Sequence, residues 1–460
     1  MAERSVTFFM EKLKVGFGRV DITPDHFGPM GGFGNDNHRI CTQIWDHLYG
    51  SCIAITDEAD ETMLLITMDI LHTNKDQTAQ CREAITAATG VPGNRIMTAA
   101  THNHSGPSIN GDSDFTEKYY IPFLAQQMAK AAEEAMADRR EAEILIGQHQ
   151  TDRLTFIRHY IDKDDVLYSG PWPAQEGVTH DGEADQQLQL IRFVRADAPD
   201  IIMVNFQAHL TIVGGNDFDT EMSADFVGVM RTEIEDRTGC YFAYFQGACG
   251  NQGPTSKFRG EAPLPRMVHK WALRYIHHGM LMAAAVQEGL KDLRPAKSGP
   301  IRSKQMQYPA PVDHSQDHLG EGAKIVCENY YKLDDPEERK ALLKKYGLSS
   351  RLHAGNVYSR YIAGKSVDME INVLSAGDIS FATAPYEMFS SNGRYIKENS
   401  PFPMTFVMGY CNGSFSYLAD KAAFRHGDRC YEVYSRRYEE GTAEAIVAKH
   451  VEMLKELKEN

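Results

Sequence analysis

The stretch Ala99-Ala100-Thr101-His102-Asn103-His104-Ser105-Gly106-Pro107 decides the fold prediction. An apolar segment precedes it, and its Gly-Pro ending stops regular structure, so the pattern predicts a strand that runs out into a loop. In an extended segment His102 and His104 point to the same side, because side chains alternate with a period of two. Two such imidazoles hold a metal, or one binds metal while the other faces a substrate. The alternative is two polar residues that cap a turn.

Strand and helix patterns alternate around this stretch. Residues 48–57 and 62–71 are apolar runs typical of buried strands, residues 75–90 predict a helix, and residues 94–100 predict the next strand. Such alternation predicts a mixed α/β fold with a mostly parallel sheet flanked by helices. Functional loops on such sheets follow the carboxyl ends of strands, which is where the two histidines fall.

Other predicted strand ends and loops also carry candidate functional groups. The apolar run 201–209 ends at His209, and Glu387 follows a predicted strand at 379–384. The glycine-rich loop 28–34, which contains Gly32, lacks the Lys-Ser/Thr of a phosphate loop, so we interpret it as an active-site loop and not as a nucleotide site. The loop 247–254 offers small residues and backbone N–H groups that suit close approach to a ligand.

Two residues have structural interpretations that compete with functional ones. Asp69, at the end of the second apolar run, caps a turn or supports a metal-binding histidine. For Cys249 we favour a small buried thiol over a nucleophile, because no histidine partner can be assigned from the sequence.

The composition excludes several classes of protein. The 460 residues are 42% hydrophobic and 24% charged, with 48 basic and 63 acidic residues and a net charge of −15, so we expect no nucleic-acid partner. No apolar run approaches the ~20 residues that span a bilayer, and the N-terminus has no apolar signal region, so we expect no membrane anchor and no secretion. The eight cysteines are scattered without a CxxC pair, which favours reduced thiols and a cytoplasmic location. A small-molecule partner is expected, and a homo-oligomer stays open.

In their order, these motifs resemble the neutral/alkaline (non-lysosomal) ceramidase family. The matching stretches are Val15-Gly16-Phe17-Gly18-Arg19-Val20-Asp21-Ile22-Thr23-Pro24, Thr101-His102-Asn103-His104-Ser105-Gly106-Pro107, Ala208-His209, Ser223-Ala224-Asp225, 247–254, Pro385-Tyr386-Glu387 and 412–417. The resemblance implies a single ceramidase-like α/β catalytic domain over residues 13–445, with a helical insert at 313–355 and without the Ig-like C-terminal domain of longer ceramidases.

The resemblance also implies a metal site and residues around it. One zinc per chain would be held by His102, His209, Glu387 and Tyr417. His104 would bind the substrate carbonyl or its oxyanion, and Arg158 would assist in substrate binding; we take both as catalytic.

One loop departs from the pattern of the family. Where ceramidases have Gly-Asp-x-Ser-Pro, this chain reads Gly250-Asn251-Gln252-Gly253-Pro254. The chain is therefore similar to a divergent member that lacks the active-site serine, and we assign Asn251, Gly253 and Gly32 to substrate binding.

The expected function is zinc-dependent hydrolysis of an amide or other acyl bond (ester or lactone) of a small soluble substrate by metal-bound hydroxide. A second interpretation is a carbohydrate-active, glycosidase-like enzyme that uses Asp69, Asp225 or Glu387 as acid and base. A third is a non-catalytic binding protein. Activity that survives a chelator favours the second interpretation, and metal-free protein without turnover favours the third.

Overall fold

The structure, a computed structural model, describes residues 13–33, 39–109, 113–169, 177–215, 219–255 and 271–459. The strands are β1 (Leu13–Asp21), β2 (Gln43–Ile44), β3 (Tyr49–Thr56), β4 (Thr62–Met68), β5 (Ile96–Ala100), β6 (Arg140–Gln150), β7 (Thr155–Ile157), β8 (His159–Ile161), β9 (Leu167–Ser169), β10 (Thr179–His180), β11 (Gln187–Arg195), β12 (Ile201–Phe206), β13 (Glu221–Met222), β14 (Tyr241–Gln246), β15 (Gln252–Pro254), β16 (Arg294–Ala296), β17 (Ile301–Pro311), β18 (Ser366–Ala376), β19 (Ile379–Thr383), β20 (Glu387–Met388), β21 (Met404–Met408) and β22 (Tyr417–Leu418). The α-helices are α1 (Lys75–Thr89), α2 (Ile121–Ala137), α3 (Asp225–Thr238), α4 (Trp271–Gly289), α5 (Gly320–Asn329), α6 (Pro336–Lys345), α7 (Arg351–Tyr361), α8 (Ser390–Asn399), α9 (Lys421–Phe424), α10 (Tyr431–Tyr434) and α11 (Thr442–Glu459).

The fold is a mixed α/β fold, as predicted. Within the described residues the largest sheet has nine strands in the order β14-β12-β11-β6-β1-β3-β4-β5, with β16 paired to β6. The prediction that this sheet is mostly parallel was wrong: β4–β5 and β12–β14 are parallel, and its other pairings are antiparallel. The parallel pairs are those whose connection includes α1 or α3, whereas strands with short connections, such as β3 and β4, form antiparallel hairpins.

A second sheet, β17-β18-β19-β21, packs face to face on the first. Apolar side chains from both sheets form one core between them, for example Ile53, Ile191, Phe381 and Phe406. Helices α1 and α2 cover one part of the outer face of the large sheet and α3 and α4 cover another, while α8 and α11 cover the second sheet. The inner strands are buried at almost every position because both faces of each sheet are covered.

Two helical regions have features that short sequence patterns do not show. A π-helical turn, Phe115–Tyr120, continues directly into α2. The segment 313–355 contains α5, α6 and the start of α7. Gly34, in the glycine-rich loop, lies outside the described residues. No helix in the described part of the chain combines the length and apolarity needed to cross a bilayer.

The large sheet curls, so strands that are distant in its order approach each other. Thr67 of β4 donates from its hydroxyl to the carbonyl of Tyr244 in β14 at 2.6 Å. The second sheet joins the same edge, because Ala100 at the end of β5 donates to the carbonyl of Tyr410, just after β21, at 3.1 Å. The carboxyl ends of β5, β12, β14, β19 and β21 therefore meet at one place.

Candidate metal centre

Three histidines and a carboxylate converge where these strands end. Nε2 of His102 lies 3.1 Å from Nε2 of His209 and 3.0 Å from Nε2 of His104. Oε2 of Glu387 lies 3.5 Å from Nε2 of His102 and 3.4 Å from Nε2 of His209. The structure thus brings together three of the four residues expected to hold zinc, and it adds His104 to the same group.

The two histidines of the quoted stretch meet for a different reason than the one expected. His102 follows β5 with a backbone φ of 63°, so this segment is a left-handed turn and not an extended strand. His102 and His209 are buried, whereas His104 is only partly buried. The strained backbone is maintained by surrounding contacts, a pattern that is common at functional sites.

Hydrogen bonds on the far side of two rings fix which nitrogen carries the proton. Nδ1 of His102 lies 3.0 Å from the carbonyl of Leu71, and Nδ1 of His209 lies 2.8 Å from the carbonyl of Cys249. A carbonyl only accepts, so each Nδ1 donates and each neutral ring presents an unprotonated Nε2. Burial, with a smaller effect of His209, lowers the pKa of His102 well below its ordinary value despite the charge of Glu387, so this ring is neutral.

Tyr410 belongs to the site, although the resemblance to the ceramidases pointed to the nearby Tyr417 and not to this tyrosine. Its hydroxyl donates to Oε2 of Glu387 at 3.1 Å, and its ring stacks on His102. Burial raises the pKa of this phenol well above its usual value, so it stays protonated and able to donate. The signal that could have found it is its position just after β21, at the same sheet edge as the histidines.

Tyr417, the fourth expected ligand, lies on the strand next to Glu387. The two residues are paired in register in the parallel β20–β22 ladder. Nη2 of Arg158 donates to the Tyr417 hydroxyl at 3.1 Å, and the guanidinium carbon lies 5.5 Å from the centre of the Tyr417 ring. The expected catalytic residue Arg158 is therefore adjacent to the expected ligand Tyr417.

A second cluster, His159, Cys430 and Glu432, lies behind Arg158 and is fully buried. Nε2 of His159 is 2.6 Å from Oε2 of Glu432, and Sγ of Cys430 is 3.3 Å from the same oxygen. Sequence reasoning did not identify this cluster, because Cys430 and Glu432 lie in a segment without a strong strand or helix pattern.

The three residues assigned to substrate binding occupy different surroundings. Gly32 is packed against His104: at its φ of 88°, a Cβ atom would lie 2.7 Å from Nδ1 of His104. Asn251 is buried and accepts from the backbone N–H of Ser390 at 2.9 Å. Gly253 lies in β15, where a Cβ atom would meet the ring of Phe156 at 3.2 Å. Their roles in substrate binding stay predictions.

Two of the three carboxylates of the carbohydrate interpretation, Asp69 and Asp225, are engaged in other contacts, whereas Glu387 lies at the histidines. Both oxygens of Asp69 accept from Arg231, at 2.9 and 2.7 Å, so Asp69 does not reach the histidines as a supporting acid. Oδ2 of Asp225 accepts from the backbone of Ile212 and Val213, at 2.8 and 3.0 Å. Both aspartates are buried, and their contacts hold loops in place.

Cys249 is a buried thiol and not an exposed nucleophile. Its side chain is fully buried, and burial raises the pKa of the thiol far above its usual value. Its backbone carbonyl, and not its sulfur, contacts His209.

Two solved structures resemble this chain over nearly its whole length. A neutral ceramidase from Pseudomonas aeruginosa superposes with a TM-score of 0.74 and 17% identity, covering 98% of this chain and 75% of that one. A structure titled "Ceramidase complexed with C2" superposes with a TM-score of 0.73 and 16% identity, covering 98% of this chain and 76% of that one. The fold is ceramidase-like. No protein-family model and no curated protein matches the chain.

Proposed function

We propose that this chain is a zinc-dependent hydrolase that cleaves an amide or other acyl bond of a small soluble substrate. The proposal is carried by one observation: two unprotonated imidazole nitrogens and a carboxylate oxygen meet within 3.1–3.5 Å of one another. Electron pairs at this separation repel each other unless a cation lies among them. Imidazole nitrogen and carboxylate oxygen are ordinary ligands of zinc, so the donor set fits this metal.

We assign His102, His209, Glu387 and Tyr417 as the residues that would hold the metal. Zinc in such a site supplies Lewis acidity, which lowers the pKa of water to about 7 and polarises a carbonyl oxygen. The Nδ1 contacts of the two histidines orient their rings, and the Tyr410 hydroxyl orients Glu387. The likeness to ceramidase structures, which is a likeness of fold, agrees with acyl-bond chemistry.

His104 binds the substrate in this proposal. It is the most accessible of the three histidines, and its Nε2 faces the same point as that of His102. A donor at this position stabilises negative charge that develops on a carbonyl oxygen. The ring of Phe33, which is 36% exposed, lies edge-on to His104 with centroids 5.0 Å apart, and it offers an apolar contact next to the bond that is cleaved.

The test combines metal analysis with turnover. We expect about one zinc per chain in the wild type, none in His102→Ala, and one in both His104→Ala and the surface control His47→Ala. On a panel of amides, esters and lactones, a chelator and His104→Ala should each remove most turnover. Wild-type protein that binds no metal after zinc is supplied, or that keeps its activity in chelator, would overturn the proposal, and glycosides would be tested next.

A further inference from the structure

Glu432 is a buried carboxylate that accepts from three side chains. Nε of Arg158 donates to Oε1 at 2.9 Å, and Nη2 of Arg158 bonds to the same oxygen. On Oε2, Nε2 of His159 donates at 2.6 Å, and the thiol of Cys430 lies at 3.3 Å. The side chain of Glu432 is 1% exposed, so these contacts replace the water that a carboxylate otherwise requires.

The cluster is an ion pair and not a second metal site. Burial alone would raise the pKa of Glu432. The charges of Arg158 and His159 lower it by more than burial raises it, so the net pKa lies well below its usual value and the carboxylate is ionised. A cation at His159, Cys430 and Glu432 would lie beside the guanidinium of Arg158, which already neutralises this carboxylate. Burial also raises the pKa of the Cys430 thiol well above its usual value, which disfavours the thiolate that a metal needs.

The same guanidinium connects Glu432 to the metal centre. Nη2 of Arg158, which bonds to Glu432, also donates to the hydroxyl of Tyr417 at 3.1 Å. Tyr417 is in turn the register partner of Glu387. A guanidinium whose Nε and Nη2 are both held by one carboxylate can fix a hydroxyl through the second hydrogen of Nη2, because its donors are rigid and lie in one plane.

We propose that Glu432 is a positioning residue for the metal centre: it anchors Arg158 and thereby holds the Tyr417 hydroxyl in place as a ligand. The inference rests on the proposed function, because it assumes that Tyr417 contacts the metal. Removal of a residue that orients a ligand typically weakens metal binding by roughly 10-fold to 100-fold.

The experiment is a double-mutant cycle on zinc affinity, measured by competition with a chromophoric chelator. Glu432→Gln keeps the shape of the side chain and removes its charge, and Tyr417→Phe removes the proposed ligand atom. We expect the zinc affinity of each single variant to be lower than that of the wild type by roughly 10-fold or more. Because both changes disturb the same ligand, the zinc affinity of the double variant should be no lower than that of the single variant with the lower affinity. Glu235→Gln is the matched control, since it breaks the paired contact with Arg19, at 3.0 and 2.7 Å, away from the site. Its zinc affinity should equal that of the wild type.

Each further outcome decides the inference. An unchanged zinc affinity in Glu432→Gln would overturn it. So would a double variant whose loss of zinc affinity is the product of the two single losses. A loss of zinc affinity in Glu432→Gln without any loss in Tyr417→Phe would overturn it as well. If Glu432→Gln does not fold, Arg158→Lys takes its place, because a lysine cannot bond to Glu432 and Tyr417 with one planar group. Wild-type protein that binds no zinc would instead refute the proposed function, and the inference with it.

Discussion

Tyr410 stacks on His102, with ring centroids 3.7 Å apart and ring planes inclined by 16°. From this position its hydroxyl donates to Glu387 at 3.1 Å and lies 3.3 Å from Sγ of Cys249. One phenol therefore supports two of the proposed ligands. Its φ of 53° places the backbone in the left-handed region, which non-glycine residues occupy only when their surroundings enforce it.

Tyr410→Phe should weaken zinc binding while the fold persists. The variant keeps the stacked ring and removes the hydrogen bond that orients Glu387. We expect zinc affinity to fall roughly 10-fold and the free energy of unfolding to fall by about 1 to 2 kcal/mol, measured by chelator competition and urea denaturation. The control is Tyr120→Phe, which loses a buried hydrogen bond to the carbonyl of Ile22 and should lose stability only. Equal zinc affinities in the two variants would contradict a role for Tyr410 at the site.

Gly32→Ala should impair turnover without removing the metal. An added Cβ would lie 2.7 Å from Nδ1 and 2.9 Å from Cγ of His104, so the imidazole must move. We expect kcat to fall at least roughly 10-fold with about one zinc retained, because His104 orients the substrate in our proposal. Gly90→Ala is the control: Gly90 also has a positive φ, 76°, but a Cβ there would meet nothing within 4 Å. Both variants should lose about 1 kcal/mol of stability from backbone strain, and only Gly32→Ala should lose turnover.

Part of this site could be predicted from the sequence. His102, His209 and Glu387 each follow an apolar strand pattern, and polar residues at strand ends are the expected place for function in α/β proteins. The resemblance to ceramidases added Tyr417, which lies on the strand paired with Glu387. What the pattern could not supply is the curl of the large sheet and the second sheet behind it, which bring these strand ends together through contacts between distant segments.

Other features depended on side chains whose roles are set only by packing. Tyr410 lies about 300 residues after His102, and Glu432 lies more than 250 residues after Arg158. Nothing in the sequence around a buried tyrosine or glutamate indicates which distant residue it contacts. The left-handed backbone conformation of His102 could not be predicted from the sequence either, because such a conformation is usually marked by a glycine and this residue is a histidine. The large sheet was wrongly predicted to be mostly parallel. The period and length of apolar runs identify strands, but they do not reveal whether the connection between two strands forms a hairpin.

Asp69→Asn should lower stability without changing turnover of the folded protein. Asp69 is 1% exposed and pairs with Arg231, which is 10% exposed, so the variant leaves a buried guanidinium without its counter-charge. We expect a loss of about 3 to 5 kcal/mol in the free energy of unfolding and an unchanged kcat per folded molecule. A glycosidase that used Asp69 as acid or base would instead lose nearly all turnover, so this variant separates the two interpretations.

His278 should make the stability of the protein depend on pH. The side chain is fully buried in α4, edge-on to Phe226 with centroids 4.9 Å apart. Burial, with a smaller contribution from His277, lowers the pKa of His278 to about 3, compared with about 6.5 in an unfolded chain. Between these two values the unfolded chain binds a proton that the folded chain does not.

The free energy of unfolding should therefore fall as the pH drops below about 6.5, with a limiting slope from this one group of about 1.4 kcal/mol per pH unit. Above that pH the contribution is complete, because the ring is neutral in both states. His278→Leu removes the titration, so its unfolding free energy, measured by urea denaturation at pH 7, 6, 5 and 4, should fall less steeply than that of the wild type. Contributions from other groups cancel in the difference between the two curves. Parallel curves would mean that His278 accepts a proton in the folded state, which its complete burial disfavours.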